Sequence, residues 1–195
     1  IKNFASTNSN ILKKKLIKIL KNDKKLYEMK QKNLSMVDGL GGLRLAEILF
    51  PSNSSKLKLR KANLRDLYTY FNWVNEKEVI KNSFNKKSIN IESHKNWFKN
   101  QIKDKDSYMY VLEINKLPIG QVRFNVNKKN ALIDYSLDET IRGRGLGKTL
   151  ISFGLKKIRP LKINLVNAEV KSINFKSKFI FKNLGFKEKK IKSKY

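Results

Sequence analysis

A chain of 195 residues with 40% hydrophobic content is long enough for one ordinary domain plus an appendage, and it can bury a full core. It contains no cysteine and one histidine, His94, which excludes a disulfide framework, thiol nucleophiles, Cys-based zinc sites and a His-rich metal centre. A formal charge of +28 raises nucleic acid or an anionic membrane as a partner.

The distribution of that charge argues against both. The basic residues are mostly Lys, they run the whole length, and they accompany abundant Asn, Ile and Phe, as an AT-rich coding sequence produces. No apolar run approaches the roughly 18 residues of a membrane span, and there is no signal-peptide pattern. The expectation is a cytoplasmic protein with a small-molecule substrate, no nucleic-acid partner and no membrane partner. A basic nucleic-acid or membrane-surface module is the alternative outside enzymology.

The chain opens on Ile1 rather than Met and reads as part of something longer. Residues 11–31 place Leu12, Leu16, Ile19, Leu20 and Tyr27 at roughly helical spacing. Met36 to Leu49 reads Met-Val-Asp-Gly-Leu-Gly-Gly-Leu-Arg-Leu-Ala-Glu-Ile-Leu. Its Asp-Gly-x-Gly-x-x-Arg core and short helix resemble the C-terminal tail of the nucleotide-sugar hydrolases of pseudaminic acid synthesis, which have a glycosyltransferase-B-like fold. The resemblance implies that 1–50 is the end of an upstream hydrolase domain, fused to or contacting the domain that begins at residue 56. Residues 51–55, Pro-Ser-Asn-Ser-Ser, read as a linker.

From residue 56 the pattern changes. Leu57 and Leu59 alternate as in a strand. Asn63 can cap a helix with an apolar face of Leu64, Leu67, Tyr68 and Phe71, running on into Trp73 to Val79. A polar loop through Asn90 precedes a helix carrying His94, Trp97 and Phe98. Strands are expected at Tyr108 to Ile114, Pro118 to Phe124 and Ala131 to Asp138, with turns at Asn115-Lys116 and Lys128-Lys129-Asn130. A further strand spans Ile163 to Val170, and a helix begins after it at Asn174.

Between the strand ending at Asp138 and the one beginning at Ile163 lies Arg142-Gly143-Arg144-Gly145-Leu146-Gly147-Lys148-Thr149, leading into the helical pattern Leu150, Ile151, Leu155, Ile158. Glycines let the backbone approach a ligand closely, and the helix start offers free N–H groups and the positive dipole end to an anion. This is a phosphate cradle. It misses the P-loop spacing by one residue and the dinucleotide-binding spacing by one.

Arg142-x-x-Gly145-x-Gly147 resembles the pyrophosphate loop of the GNAT acetyltransferase superfamily. Asn174, Ser177, Phe181 and Leu184-Gly185-Phe186 resemble that family's last-helix signature. The order β-α-α-β-β-β-loop-α-β-α-β agrees. The resemblance implies an α/β (mixed α+β) GNAT fold over 56–195, with a mostly antiparallel splayed sheet flanked by helices, preceded by a helical N-terminal appendage. It implies acetyl-CoA as co-substrate and no metal. Leu137 and its neighbours would hold the pantetheine arm, and Arg142, Gly143, Arg144, Gly145, Leu146, Gly147, Lys148 and Thr149 the pyrophosphate. Asn174 and Phe181 would lie near the arm.

The chain departs from the family at Phe181, where many members have a Tyr as the acid for the leaving thiolate. Tyr135 is a substitute, or a packed strand residue. Asp134 is the candidate base, or a surface charge; His94 is another, or a lone helix-surface histidine. A second resemblance covers Trp73-Val74-Asn75, Ser83, Ile91, His94-x-x-Trp97-Phe98 and Gly120-x-Val122-Arg123. It is to the GNAT branch that acetylates 4-amino-4,6-dideoxy nucleotide sugars in pseudaminic acid synthesis, and less tightly to ribosomal-protein N-terminal acetyltransferases. It implies acceptor contacts at Trp73, Asn75, Ser83, His94 and Arg123. The expected function is N-acetylation of a UDP-linked 4-amino sugar, with a protein N-terminus as the alternative acceptor.

Overall fold

Strand formation obeys the alternation in the sequence. The computed structural model describes residues 57–190; the expectations for the N-terminal helix, the hydrolase-like segment and the linker lie outside the described residues. Five strands form one sheet in the order β1 (Leu57–Lys61), β2 (Ser107–Ile114), β3 (Leu117–Asn127), β4 (Asn130–Leu137) and β5 (Leu165–Ala168). The first three junctions are antiparallel and β4–β5 is parallel. Asn115 and Lys116, with φ of 48° and 68°, make the tight β2–β3 turn, a twist that matches the strands on either side.

The parallel pairing stops halfway. Asn130–Ile133 pair with Leu165–Ala168, and no described strand pairs with Asp134–Leu137 on that side. The splayed sheet that the sequence implies is therefore present, open along the second half of β4.

Each face of the sheet has its own core. On one, Leu112, Val122, Phe124, Ile133 and Leu137 pack on Leu150 and Ile151 of α4 (Leu146–Ile158) and on Phe181 of α5 (Phe175–Asn183). Gly154 is required here, because a Cβ would come within 3.0 Å of both the Phe124 ring and Val122. On the other, Met109 and Val111 pack with Leu67, Tyr70 and Trp73 of α1 (Leu67–Val74) and Phe98 of α3 (Ile91–Lys103).

Three expectations shift. The first helix buries Leu67, Tyr70 and Trp73, while Leu64 sits exposed in a 3-10 turn that Asn63 and Asp66 cap reciprocally. Residues Lys77–Asn82 form a separate short helix, α2, because Asn75 spends its side chain on Phe71 O and on both backbone groups of Ile89. No strand comes after α5 among the described residues; Lys187, Glu188, Lys189 and Lys190 there have no apolar alternation to bury.

Candidate active site

The glycines of the loop between β4 and α4 set its shape. Gly143 and Gly145 have φ of 80° and 76°, the left-handed region that side chains resist, and a Cβ on either would meet nothing within 4 Å. Gly145 begins α4 with no side chain capping the first turn. The amides of residues 145–148 are thus the helix's unpaired donors, on the positive end of its dipole. Arg144 and Lys148 are exposed beside them. Gly147 is buried for another reason: a Cβ there would lie 2.8 Å from Ile180 Cδ1 and close to Tyr135 and Leu137. This bare, cationic turn beside an open strand edge suits a diphosphate ester with an extended arm, so its residues fit acetyl-CoA.

Arg142 is placed differently from its neighbours. Nε and Nη2 donate to Leu137 O at 2.9 and 2.7 Å, Nη1 donates to Glu78 at 3.2 Å, and Nη2 also donates to Glu76. Its guanidinium makes four hydrogen bonds to protein partners, and the side chain is half-buried where Gly143, Arg144 and Gly145 are exposed.

Around the open half of β4 the two faces carry different chemistry. Tyr135 points into the α4–α5 side. Its Oη and Ser177 Oγ share a hydrogen bond of 3.0 Å, and its ring meets the edge of Phe181. Burial pushes the Tyr135 phenol up, with Ser177 opposing, so it stays protonated at neutral pH. Phe181 itself is buried between Tyr135 and Phe186, a core position. Asn174 Oδ1 caps α5 at Ser177 N, 3.1 Å away.

Asp134 leaves the opposite face. It accepts from Gln121 Nε2 at 3.0 Å and lies 3.9 Å from Arg123. The Arg123 guanidinium sits over the Trp97 ring, 5.1 Å from its centroid, and Trp97 remains 36% exposed. Asp134, Arg123 and Trp97 thus form one surface cluster, in which Arg123 is half-buried. Sequence reasoning missed Gln121, whose buried Oε1 has no hydrogen-bond partner; a glutamine in a strand carries no motif.

Of the remaining predicted acceptor residues, Trp73 and His94 are buried and Asn75 and Ser83 half-buried. Trp73 is 2% exposed and donates Nε1–H to Asp138 at 2.9 Å. Asn75 fastens the 83–90 segment, and Ser83 terminates α2 through its backbone. His94, read from sequence as a surface residue or a base, is a buried ring among Phe71, Trp97 and Phe98, with Nε2 3.2 Å from Leu67 O. Burial pushes its pKa down, which keeps the ring neutral. Of these residues, His94 packs against Trp97 of the cluster.

Among the described residues no group of three or more His, Cys, Asp or Glu side chains is placed to hold a metal, and no helix is long and apolar enough to cross a membrane.

Comparison with known proteins bears on this site. No curated protein matches the chain. Among solved structures, it is similar to a domain from Methanocaldococcus jannaschii, at 20% identity over 72% of this chain and 94% of that one, with a TM-score of 0.65. It is also similar to the spermidine N-acetyltransferase of Vibrio cholerae, solved with CoA and spermine, at 22% identity over 69% and 82%, TM-score 0.64. A third is the ribosomal-protein-alanine N-acetyltransferase of Brucella melitensis, at 20% identity over 68% and 86%, TM-score 0.60. These likenesses are of fold. The acetyltransferase (GNAT) domain family matches residues 56–187, from the first strand past the last helix. The chain belongs to the GNAT family and is an acetyl-CoA-dependent N-acetyltransferase.

Proposed function

We propose that the chain transfers an acetyl group from acetyl-CoA to the 4-amino group of a UDP-linked 4-amino-4,6-dideoxy sugar. The observation that carries this reading is the surface Trp97–Arg123–Asp134 cluster. An indole face suits a sugar ring, a guanidinium suits a diphosphate, and a carboxylate suits an amine. The surplus of positive charge favours the approach of a polyanionic acceptor. The hydrolase-like segment 36–49 supports the same pathway by sequence alone. In that pathway the hydrolase acts on the acetylated product, and both steps would take place in the cytoplasm.

In this reading the backbone amides of Gly143 to Lys148 and the side chain of Thr149 bind the diphosphate of acetyl-CoA, and the open edge of β4 through Leu137 receives its arm. Bound there, acetyl-CoA supplies an activated thioester. Asp134 takes the proton from the acceptor amine, directly or through water. Tyr135, at the same stretch of β4 but on its other face, holds a proton at Oη for the departing sulfur, with Ser177 orienting the hydroxyl.

The test is CoA release against a panel of UDP-4-amino-4,6-dideoxy sugars, a dTDP-4-amino sugar and N-terminal peptides, with products checked by mass. The protein has no cysteine to consume the thiol reagent. Thiol release with a UDP-sugar, and a product heavier by one acetyl group, supports the reading. Turnover of peptides without turnover of sugars overturns it in favour of a protein acceptor.

A further inference from the structure

Arg142 is enclosed by groups that neither proton transfer nor acceptor binding uses. Glu76, between α1 and α2, and Glu78, in α2, both face it; Glu78 also accepts from Lys176 of α5 at 3.1 Å. The same guanidinium donates twice to Leu137 O, at the end of β4. One side chain therefore joins the acceptor-side helices, the last residue of the open strand and the first residue of the glycine loop, with α5 attached through Lys176. Charge-assisted hydrogen bonds of this kind fix orientation as well as distance.

We propose that Glu76 and Glu78 form a carboxylate clamp on Arg142 that sets the position of the phosphate loop. Arg142 is then a positioning residue, acting on the diphosphate through the loop backbone and not as a direct ligand. The geometry favours this division of labour, because four of the five guanidinium N–H donors already serve a carbonyl and two carboxylates. The clamp also ties the α1–α2 segment to the acetyl-CoA side, so the two substrate sites share one fixed point. The inference rests on the assignment of the loop to the diphosphate.

The clamp has a titratable member. Burial pushes the Glu76 carboxyl up to about 7; Arg142 pulls it down, and Asp138 and Glu139 push it up. Glu78 is held below the usual carboxylate range, chiefly by its hydrogen bond to Lys176. Above about pH 7 Glu76 is charged and holds Arg142; below it, that arm of the clamp is neutral.

The experiment is calorimetric binding of dephospho-CoA, whose diphosphate diester does not itself titrate near neutrality. The proteins are the wild-type chain, Glu76→Gln, Glu78→Gln, Arg142→Gln, Glu76→Gln/Arg142→Gln and Gly145→Glu. The expected result at pH 8 is binding weakened about tenfold in Glu76→Gln and Arg142→Gln alike, with no further loss in the double variant. Wild-type affinity falls from pH 8 to pH 6, and Glu76→Gln lacks that dependence. Unchanged or tighter binding in Glu76→Gln and Glu78→Gln overturns the clamp, because freeing a competing guanidinium ligand would strengthen binding. If Glu76→Gln lowers the melting temperature, Glu78→Gln, altered at a more exposed carboxylate, carries the test on the same terms. Binding retained in Gly145→Glu overturns the loop assignment and the clamp with it; binding abolished there, with the glutamate variants unaffected, overturns the clamp alone.

Discussion

Tyr135 Oη lies 3.0 Å from Ser177 Oγ, so the open half of β4 is joined to the first turn of α5 by a hydroxyl pair. The pair occupies the neighbourhood where the sequence has Phe181 in place of a phenol. Tyr135→Phe is expected to lower kcat by about 10²-fold while leaving the Kd for CoA unchanged. Ser177→Ala should give a smaller loss of the same kind. Loss of CoA affinity with unchanged kcat would show instead that the hydroxyl serves packing.

Restoring a phenol at position 181 is not expected to help. Phe181 is 6% exposed, with Tyr135 and Phe186 against its ring. Phe181→Tyr therefore buries a new hydroxyl and should destabilise the fold by about 1–3 kcal/mol, read as a lower melting temperature without a gain in turnover.

Two glycines of the site should respond unequally to one added methyl group. A Cβ at Gly145 meets nothing within 4 Å, so Gly145→Ala costs only the left-handed backbone, about 1–2 kcal/mol. A Cβ at Gly120 would lie 2.8 Å from both Leu137 Cδ2 and the backbone oxygen of Ser136, which the paired strand cannot move aside. Gly120→Ala should have the lower melting temperature of the two; the reverse order would contradict the packing at the end of β4.

Acceptor recognition is expected to separate from acetyl-CoA binding. Trp97→Ala and Arg123→Ala should each raise the acceptor KM by about tenfold, the worth of a partly exposed cation–π or ionic contact, while the Kd for CoA stays constant. Equal losses for both substrates in steady-state kinetics would remove the cluster from the acceptor site.

His94 gives the fold an acid-sensitive point. Its folded pKa is lowered by burial, and the unfolded chain takes up a proton near pH 6.5, so stability is lost as pH falls below that value. His94→Phe keeps a ring among Phe71, Trp97 and Phe98 and cannot titrate. The fall in melting temperature between about pH 7 and pH 5 should be shallower in that variant.

The sequence by itself determined the elements whose signals are local. Alternation located β1, β-rich runs bounded by turn residues located β2, β3 and β4, and the period-3.6 pattern around Leu150 and Ile151 located α4. The glycines at 143 and 145 announced a loop that a ligand can approach closely before a helix; their left-handed backbone, with φ of 80° and 76°, came from the structure. Family order then implied the splay of the sheet.

Only the tertiary structure decided what each polar side chain does, since that depends on partners far away in the chain. Arg142 read as a phosphate ligand, yet its partners Glu76 and Glu78 stand 66 and 64 residues earlier. His94 read as surface or catalytic, and packing between α1 and α3 makes it a neutral core ring. Burial and pairing are properties of the assembled sheet faces, and a side chain's chemistry is set by them rather than by its neighbours in sequence.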